Sequence, residues 1–159
     1  LMGGCFIHEP IFAEWNIEMD IPSAQYVSTH MPCPITYCPF EAGETILTGE
    51  CLRRYPTHPV ALSYQIKVGE SMLRPSWDLV TVYAALWDAN HMLAYSPWGT
   101  VNIDAKGYTV YMPQQNGNAR FLLKPKQCLQ ARLETLLDEA CQMTTGKTSA
   151  DSQLIARPF

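Results

Sequence analysis

A chain of 159 residues with 47% hydrophobic and only 16% charged residues has the size of one domain and is too apolar to be disordered. Its 11 basic and 15 acidic residues give a net charge of −4, and no basic group exceeds Arg53-Arg54 or the loose pair Lys124 and Lys126. That argues against nucleic acid as a partner, because such binders draw their affinity from a basic stripe. No run approaches the ~20 apolar residues of a membrane span.

The start, Leu1-Met2-Gly3-Gly4-Cys5, has the form of the end of a bacterial lipoprotein signal with Cys5 as lipid acceptor. The charged and apolar parts of such a signal are absent, so a cytoplasmic chain is the expectation and an exported lipoprotein anchored through Cys5 the alternative. Trp15, Ile17, Met19 and Ile21 alternate with polar residues, the period of a half-buried strand that Pro22 ends. From Pro22 to Pro59 prolines recur too often for a long helix, which predicts turns and extended connections, with one short strand between Glu44 and Cys51. Tyr26, Val27, Ile35, Tyr37, Phe40, Ile46 and Leu47 keep this stretch from being a flexible linker.

Leu62, Tyr64, Ile66 and Val68 alternate with polar residues and read as a strand with one wet face. Leu79 to Trp87 is apolar on both faces, which predicts a strand buried in the interior of the sheet. Asp88-Ala89-Asn90 is turn chemistry that predicts a hairpin between that strand and His91–Tyr95, and Ser96-Pro97-Trp98-Gly99 breaks the chain before a strand over Thr100–Ile103. Lys106-Gly107 turns into Tyr108–Met112, and residues 113–118 form an exposed loop before Arg120–Leu123.

One helix follows, from Pro125 to about Met143. Leu129, Leu133, Leu136, Leu137 and Ala140 fall at helical spacing on one stripe, with Cys128 and Cys141 beside it as small core residues and Gly146 as a stop. Together these elements predict a single α+β domain over 1–159: an antiparallel β-meander sheet packed against one C-terminal amphipathic helix, with 144–159 a loose polar tail.

Six cysteines at irregular spacing do not form a disulfide framework. Cys33, Cys38 and Cys51, with His30 and His58, are the residues nearest to a zinc site. Cys-x4-Cys without a second close pair is poor spacing for one, so neither a metal nor any other cofactor is expected. Pro32-Cys33 and Cys38 lack the upstream His-x-Glu of zinc deaminases, since Glu9 directly follows His8. Thr145-Gly146-Lys147-Thr148 lacks the earlier glycine of a phosphate loop, because Cys141 stands there. A Cys–His nucleophilic pair drawn from Cys33, Cys38 or Cys51 with His58 or His91, oriented by Asp78 or Asp88, would meet only in space.

Tyr64, Trp77, Tyr83, Trp87, Tyr95, Trp98, Tyr108 and Tyr111 crowd into one segment. Tryptophan and tyrosine offer large apolar faces with one polar tip, which suits a binding surface as well as a core. The leading expectation is a non-catalytic binding module with Tyr83, Trp87, Tyr95, Trp98 and Tyr111 on a concave sheet face, for an apolar or aromatic small molecule or a protein partner. A small enzyme with a Cys/His site in the proline-rich segment is the alternative, and a module that forms homo-oligomers is the third.

Overall fold

The computed structural model describes residues 1–87 and 92–144. They form two compact units, Leu1–Leu47 with Pro75–Leu129, and Thr48–Arg74 with the chain from Gln130. The fold class is α+β, as expected, but more helical than the patterning implied.

The first unit contains α1 (Trp15–Glu18), α2 (Ile21–His30), β1 (Ile35–Tyr37), α3 (Phe40–Gly43), α5 (Trp77–Trp87), β4 (Gly99–Ile103), β5 (Thr109–Pro113) and β6 (Ala119–Phe121). The second contains a 3₁₀ turn, η1 (Glu50–Arg54), then α4 (Pro59–Val68) and η2 (Gly69–Ser71), and most of α6 (Cys128–Thr144). Two-residue strands, β2 (Leu47–Thr48) and β3 (Arg74–Pro75), fall where the chain passes from one unit to the other.

Three predicted strands are helices, each for a local reason. At Trp15–Ile21, Glu14 caps α1 by accepting the Asn16 N–H, and Asp20 caps α2 by accepting the Ser23 N–H. Pro22 lies in the first turn of α2, where a missing N–H costs little, so it opens a helix rather than closing a strand. At Leu62–Val68, His58 is the cap and Pro59 begins the first turn of α4. Leu79–Trp87 belongs to α5, where Val80 and Tyr83 are buried at helical spacing. The predicted strand at Glu44–Cys51 shrinks to β2 before η1 begins.

The three strands after Trp98 form as expected. The sheet, however, is mixed and not a meander, with order β1-β6-β4-β5. β4 and β5 form the antiparallel hairpin, from Gly99↔Pro113 to Ile103↔Thr109, and β6 runs antiparallel to β4. β1, from the proline-rich segment, adds parallel to β6 with Ile35↔Ala119, Thr36↔Arg120 and Tyr37↔Phe121. Gly117 allows the turn before β6, since a Cβ there would collide with the Gly99 carbonyl.

One sheet face carries Ile35, Tyr37, Val101, Ala119 and Phe121, covered by Phe6 and by Val27 of α2. Phe6 stacks on Phe121 at 4.6 Å. The helix that covers this face is therefore α2, a segment expected to be extended, whereas α6 belongs mainly to the second unit. There Leu133 and Cys141 are buried, and Cys141 joins Cys51, Leu52, Ala61 and Met72 in a core cluster. Cys128, expected beside the stripe as a core residue, is exposed because it stands at the first turn of α6. The predicted turn at residues 88–90, His91, the Gly146 stop and the tail beyond Thr144 lie outside the described residues. The hairpin expected around that turn does not form, because Trp77–Trp87 is helical and residues 92–95 contribute only the Tyr95 bridge.

Candidate functional site

The five aromatic residues singled out in the sequence do not share one surface. Tyr83 is buried on α5, stacks with Trp87 at 5.9 Å and donates its hydroxyl to the Met92 sulfur. Tyr111 turns to the covered face, edge-on to Phe121 at 5.1 Å, with its hydroxyl donating to the Pro97 carbonyl at 2.6 Å. Tyr95 and Trp98 do come together, and the group that joins them is Arg120.

Strand alternation explains this meeting. Ala119 and Phe121 point into the core, so Arg120 between them must point to the opposite face. Its neighbour on β1 is Thr36, and the Gly99↔Ala119 pair sets Trp98 beside it on the β4 side. Tyr95 approaches through an isolated antiparallel bridge with Leu122. The Arg120 Nε donates to Thr36 Oγ1 at 3.1 Å, while its guanidinium carbon lies 4.0 Å from the Tyr95 ring and 4.7 Å from the Trp98 ring.

The ring quadrupoles attract this cation and hold its plane. Among the described residues, no carboxylate lies within ion-pair distance of it and neither Nη has an acceptor. Trp98 stands beside it and is well exposed, as is Met112, whose strand partner Thr100 lies two residues along from Trp98. Toward its other end this side of the sheet is closed, with Leu122 fully buried and Cys38 against Thr81 of α5. Nothing in the sequence marks Arg120. One arginine in a short strand carries no local signal, and its partners lie 84, 25 and 22 residues away.

The other charge-bearing cluster is in the second unit. Glu134 of α6 receives the N–H groups of Gly49 at 2.6 Å, Glu50 at 3.0 Å and Cys51 at 3.0 Å. Burial pushes this carboxyl up, but the hydrogen bonds from Cys51, Gly49 and Glu50 outweigh it and hold the group below the usual range. Gly49 is required here: its φ is +126°, and a Cβ would strike the Met72 carbonyl and the Tyr64 ring. Arg54 pairs with Asp138 at 2.8 Å, Tyr55 donates to the same carboxylate at 2.6 Å, and Arg53 pairs with Glu50 at 3.0 Å. These groups line an open groove of about 580 Å³ whose charges already have partners within it.

Cys51 lines that groove, and its environment opposes nucleophilic chemistry. Burial raises its pKa strongly, and the nearby Glu134 and Asp138 carboxylates add to the effect. A thiolate needs positive surroundings. His58 meets Cys141 rather than Cys51, with Nδ1 3.7 Å from the sulfur, and burial raises that thiol as well. The same Nδ1 accepts the Val60 N–H and Nε2 lies 2.7 Å from Thr144 Oγ1, so the ring caps α4.

The remaining cysteine and histidine candidates do not converge. Cys33 is exposed, and Cys38 is buried with its pKa raised by desolvation. His30 stacks on the exposed ring of Tyr26 at 4.2 Å. Asp78 is exposed on α5, while Asp88 and His91 lie outside the described residues. Among the described residues, no three His, Cys, Asp or Glu side chains are grouped so as to hold a metal.

Two buried carboxylates in the first unit pin the N-terminal segment. Glu14 Oε2 accepts the N–H groups of Gly4 and Asn16, and Glu41 Oε1 accepts those of Phe6 and Ile7. Cys5 is fully buried beside them, its pKa raised by desolvation, and its backbone exchanges two hydrogen bonds with the Thr109 hydroxyl. No helix among the described residues is long and apolar enough to cross a membrane. Compared with known proteins, the chain matches no family model and no curated protein.

Proposed function

We propose that the chain is a non-catalytic binding module whose first unit takes a protein partner on the open face of its sheet. The observation that carries this reading is Arg120, held by Tyr95, Trp98 and Thr36 with both Nη groups lacking an acceptor among the described residues. Arg53 and Arg54 meet carboxylates and Glu134 meets backbone N–H groups, whereas Arg120 is set in place by two rings and a hydroxyl, with its Nη donors unspent among the described residues. Trp, Tyr, Arg and Met are the residues enriched where proteins meet, and Trp98, Tyr95, Arg120 and Met112 supply that set. The aromatic-lined sheet face read from the sequence thus narrows to Tyr95 and Trp98, with Arg120 at its centre.

Selection from a bead-displayed library of random twelve-residue peptides tests the reading. Wild-type protein is expected to enrich a family of sequences that the Trp98→Ala variant fails to retain. The α5 surface variant Leu86→Ala, on an exposed residue of the same unit, retains them. Enrichment unaffected by Trp98→Ala, or no enrichment at all, would sink the proposal.

A further inference from the structure

We infer that the Arg120 clamp recognises a side-chain carboxylate on an otherwise apolar partner segment, a reading that rests on the open sheet face being the binding surface. The chemistry follows from which parts of the guanidinium are used. Nε is committed to Thr36 Oγ1, and the rings of Tyr95 and Trp98 lie against the planar ion. What remains is the outer edge, where the Nη groups form a fork that matches the two oxygens of a carboxylate.

Three further observations narrow the ligand. The side chains at the flanking positions Thr36, Trp98 and Thr100 supply no second cation, and the ammonium of Leu1 is already bonded to the Thr36 carbonyl, whereas a phosphate dianion is ordinarily met by several cations. A single positive group therefore fits a monoanion. β6 is an inner strand, between β1 and β4, so Arg120 lies within the sheet face and not at an edge. A segment passing over that point presents side chains rather than its terminus. Finally, Trp98 and Met112 are each more than a third exposed, which gives an apolar residue next to the acid a surface to cover on the β4–β5 side. Aromatic walls also limit water around the ion, which strengthens a charge-assisted bond relative to one made in open solvent.

The experiment uses the full chain, labelled with ¹⁵N, and three capped peptides as probes. These are acetyl-Val-Glu-Val-amide, its Gln counterpart, and acetyl-Val-Gln-Val with a free C-terminal carboxylate. The Glu peptide is expected to shift the Arg120 Nε–H and Trp98 Nε1–H resonances saturably, with the Gln peptide ~10-fold weaker, as loss of one charge-assisted pair implies. Arg120→Lys, which keeps the charge but not the fork, is expected to lose most of that preference while its amide spectrum stays native. Equal shifts by the Glu and Gln peptides would overturn the carboxylate inference and leave the face as a binding surface. A response to the free C-terminus alone would overturn the side-chain assignment in the same way. If no probe moves any resonance of Trp98, Arg120 or Met112, both this inference and the proposed function fall.

Discussion

The two units hold their ordered arginines in different ways. In the second, Arg54 is paired with Asp138, Arg53 with Glu50, and Glu134 is wrapped by three backbone N–H groups. In the first, Glu14 and Glu41 are likewise spent on backbone N–H groups, but Arg120 is given two aromatic rings and one hydroxyl instead of a carboxylate. The contrast teaches where to look for function. A groove of about 580 Å³ lined by charged residues is the more conspicuous feature, yet its ions are structural because each already has its counter-group. An ordered cation whose Nη donors have no acceptor among the described residues is the group left to meet a partner.

The strongest way to break this comparison is through the cores on which both units depend. Leu133→Asp places an unpaired charge at a buried position of α6 and should cost on the order of 5 kcal/mol, comparable to the whole stability of a small domain. Denaturant unfolding followed by circular dichroism would show it; a soluble variant with near-native melting would mean that α6 is peripheral. Phe121→Ala removes the ring between Phe6 and Tyr111 and should cost about 4 kcal/mol. If tryptophan emission, which in the described first unit comes from Trp15, Trp77, Trp87 and Trp98, shows no earlier unfolding, the sheet core is not organised around this ring.

Glu134→Gln sharpens the comparison, because it asks whether the carboxylate of the second unit is structural. Trading ionised acceptors for a neutral amide facing three N–H groups should cost about 2 kcal/mol at neutral pH. The folded pKa lies below the ordinary 4.5, so the unfolded chain binds the proton more readily than the folded one. The stabilisation is then fully present above about pH 4.5 and is lost as the pH falls through the depressed folded value. The gap between wild type and variant should accordingly be constant from pH 7 to 5 and narrow below that. A gap that widens on acidification would mean that the carboxyl is not held ionised.

The smallest stability effect is expected at the residue given the functional role. Arg120→Met should cost about 1 kcal/mol, since it trades two cation–π contacts and one hydrogen bond at a part-buried position for apolar packing on the same rings, while abolishing the peptide response described above. A large loss of stability would return Arg120 to the structural class and erase the difference between the units.

Sequence and structure agree where the signals are local and redundant. Lys106-Gly107 between two alternating runs is enough for the β4–β5 hairpin, and the Leu129-to-Ala140 stripe is enough for α6. Elsewhere the match fails: at α4 because seven residues are too few to separate a period of two from one of 3.6, and at α5 because a run apolar on both faces carries no period to distinguish a buried strand from a helix. In α4 the alternating residues include Leu62 and Ile66, which the structure leaves exposed, while Ala61 is the residue buried. The capping signals at Asp20 with Pro22, and at His58 with Pro59, were present and outweighed the alternation.

The sequence by itself determined the α+β class, the hairpin and its loops, the amphipathic C-terminal helix, and the low charge that leaves apolar residues outside. All of these follow from side chains a few positions apart, whose periodicity and turn chemistry act before distant segments meet. The tertiary structure alone decided that β1 joins the sheet parallel to β6, that α2 and not α6 covers its core face, and that Thr36, Tyr95, Trp98 and Arg120 converge. The physical reason is register. Whether an arginine faces the core or the solvent, and which rings stand beside it, is set by strand pairings across tens of residues, and shifting any one by a single position would turn the group to the other face.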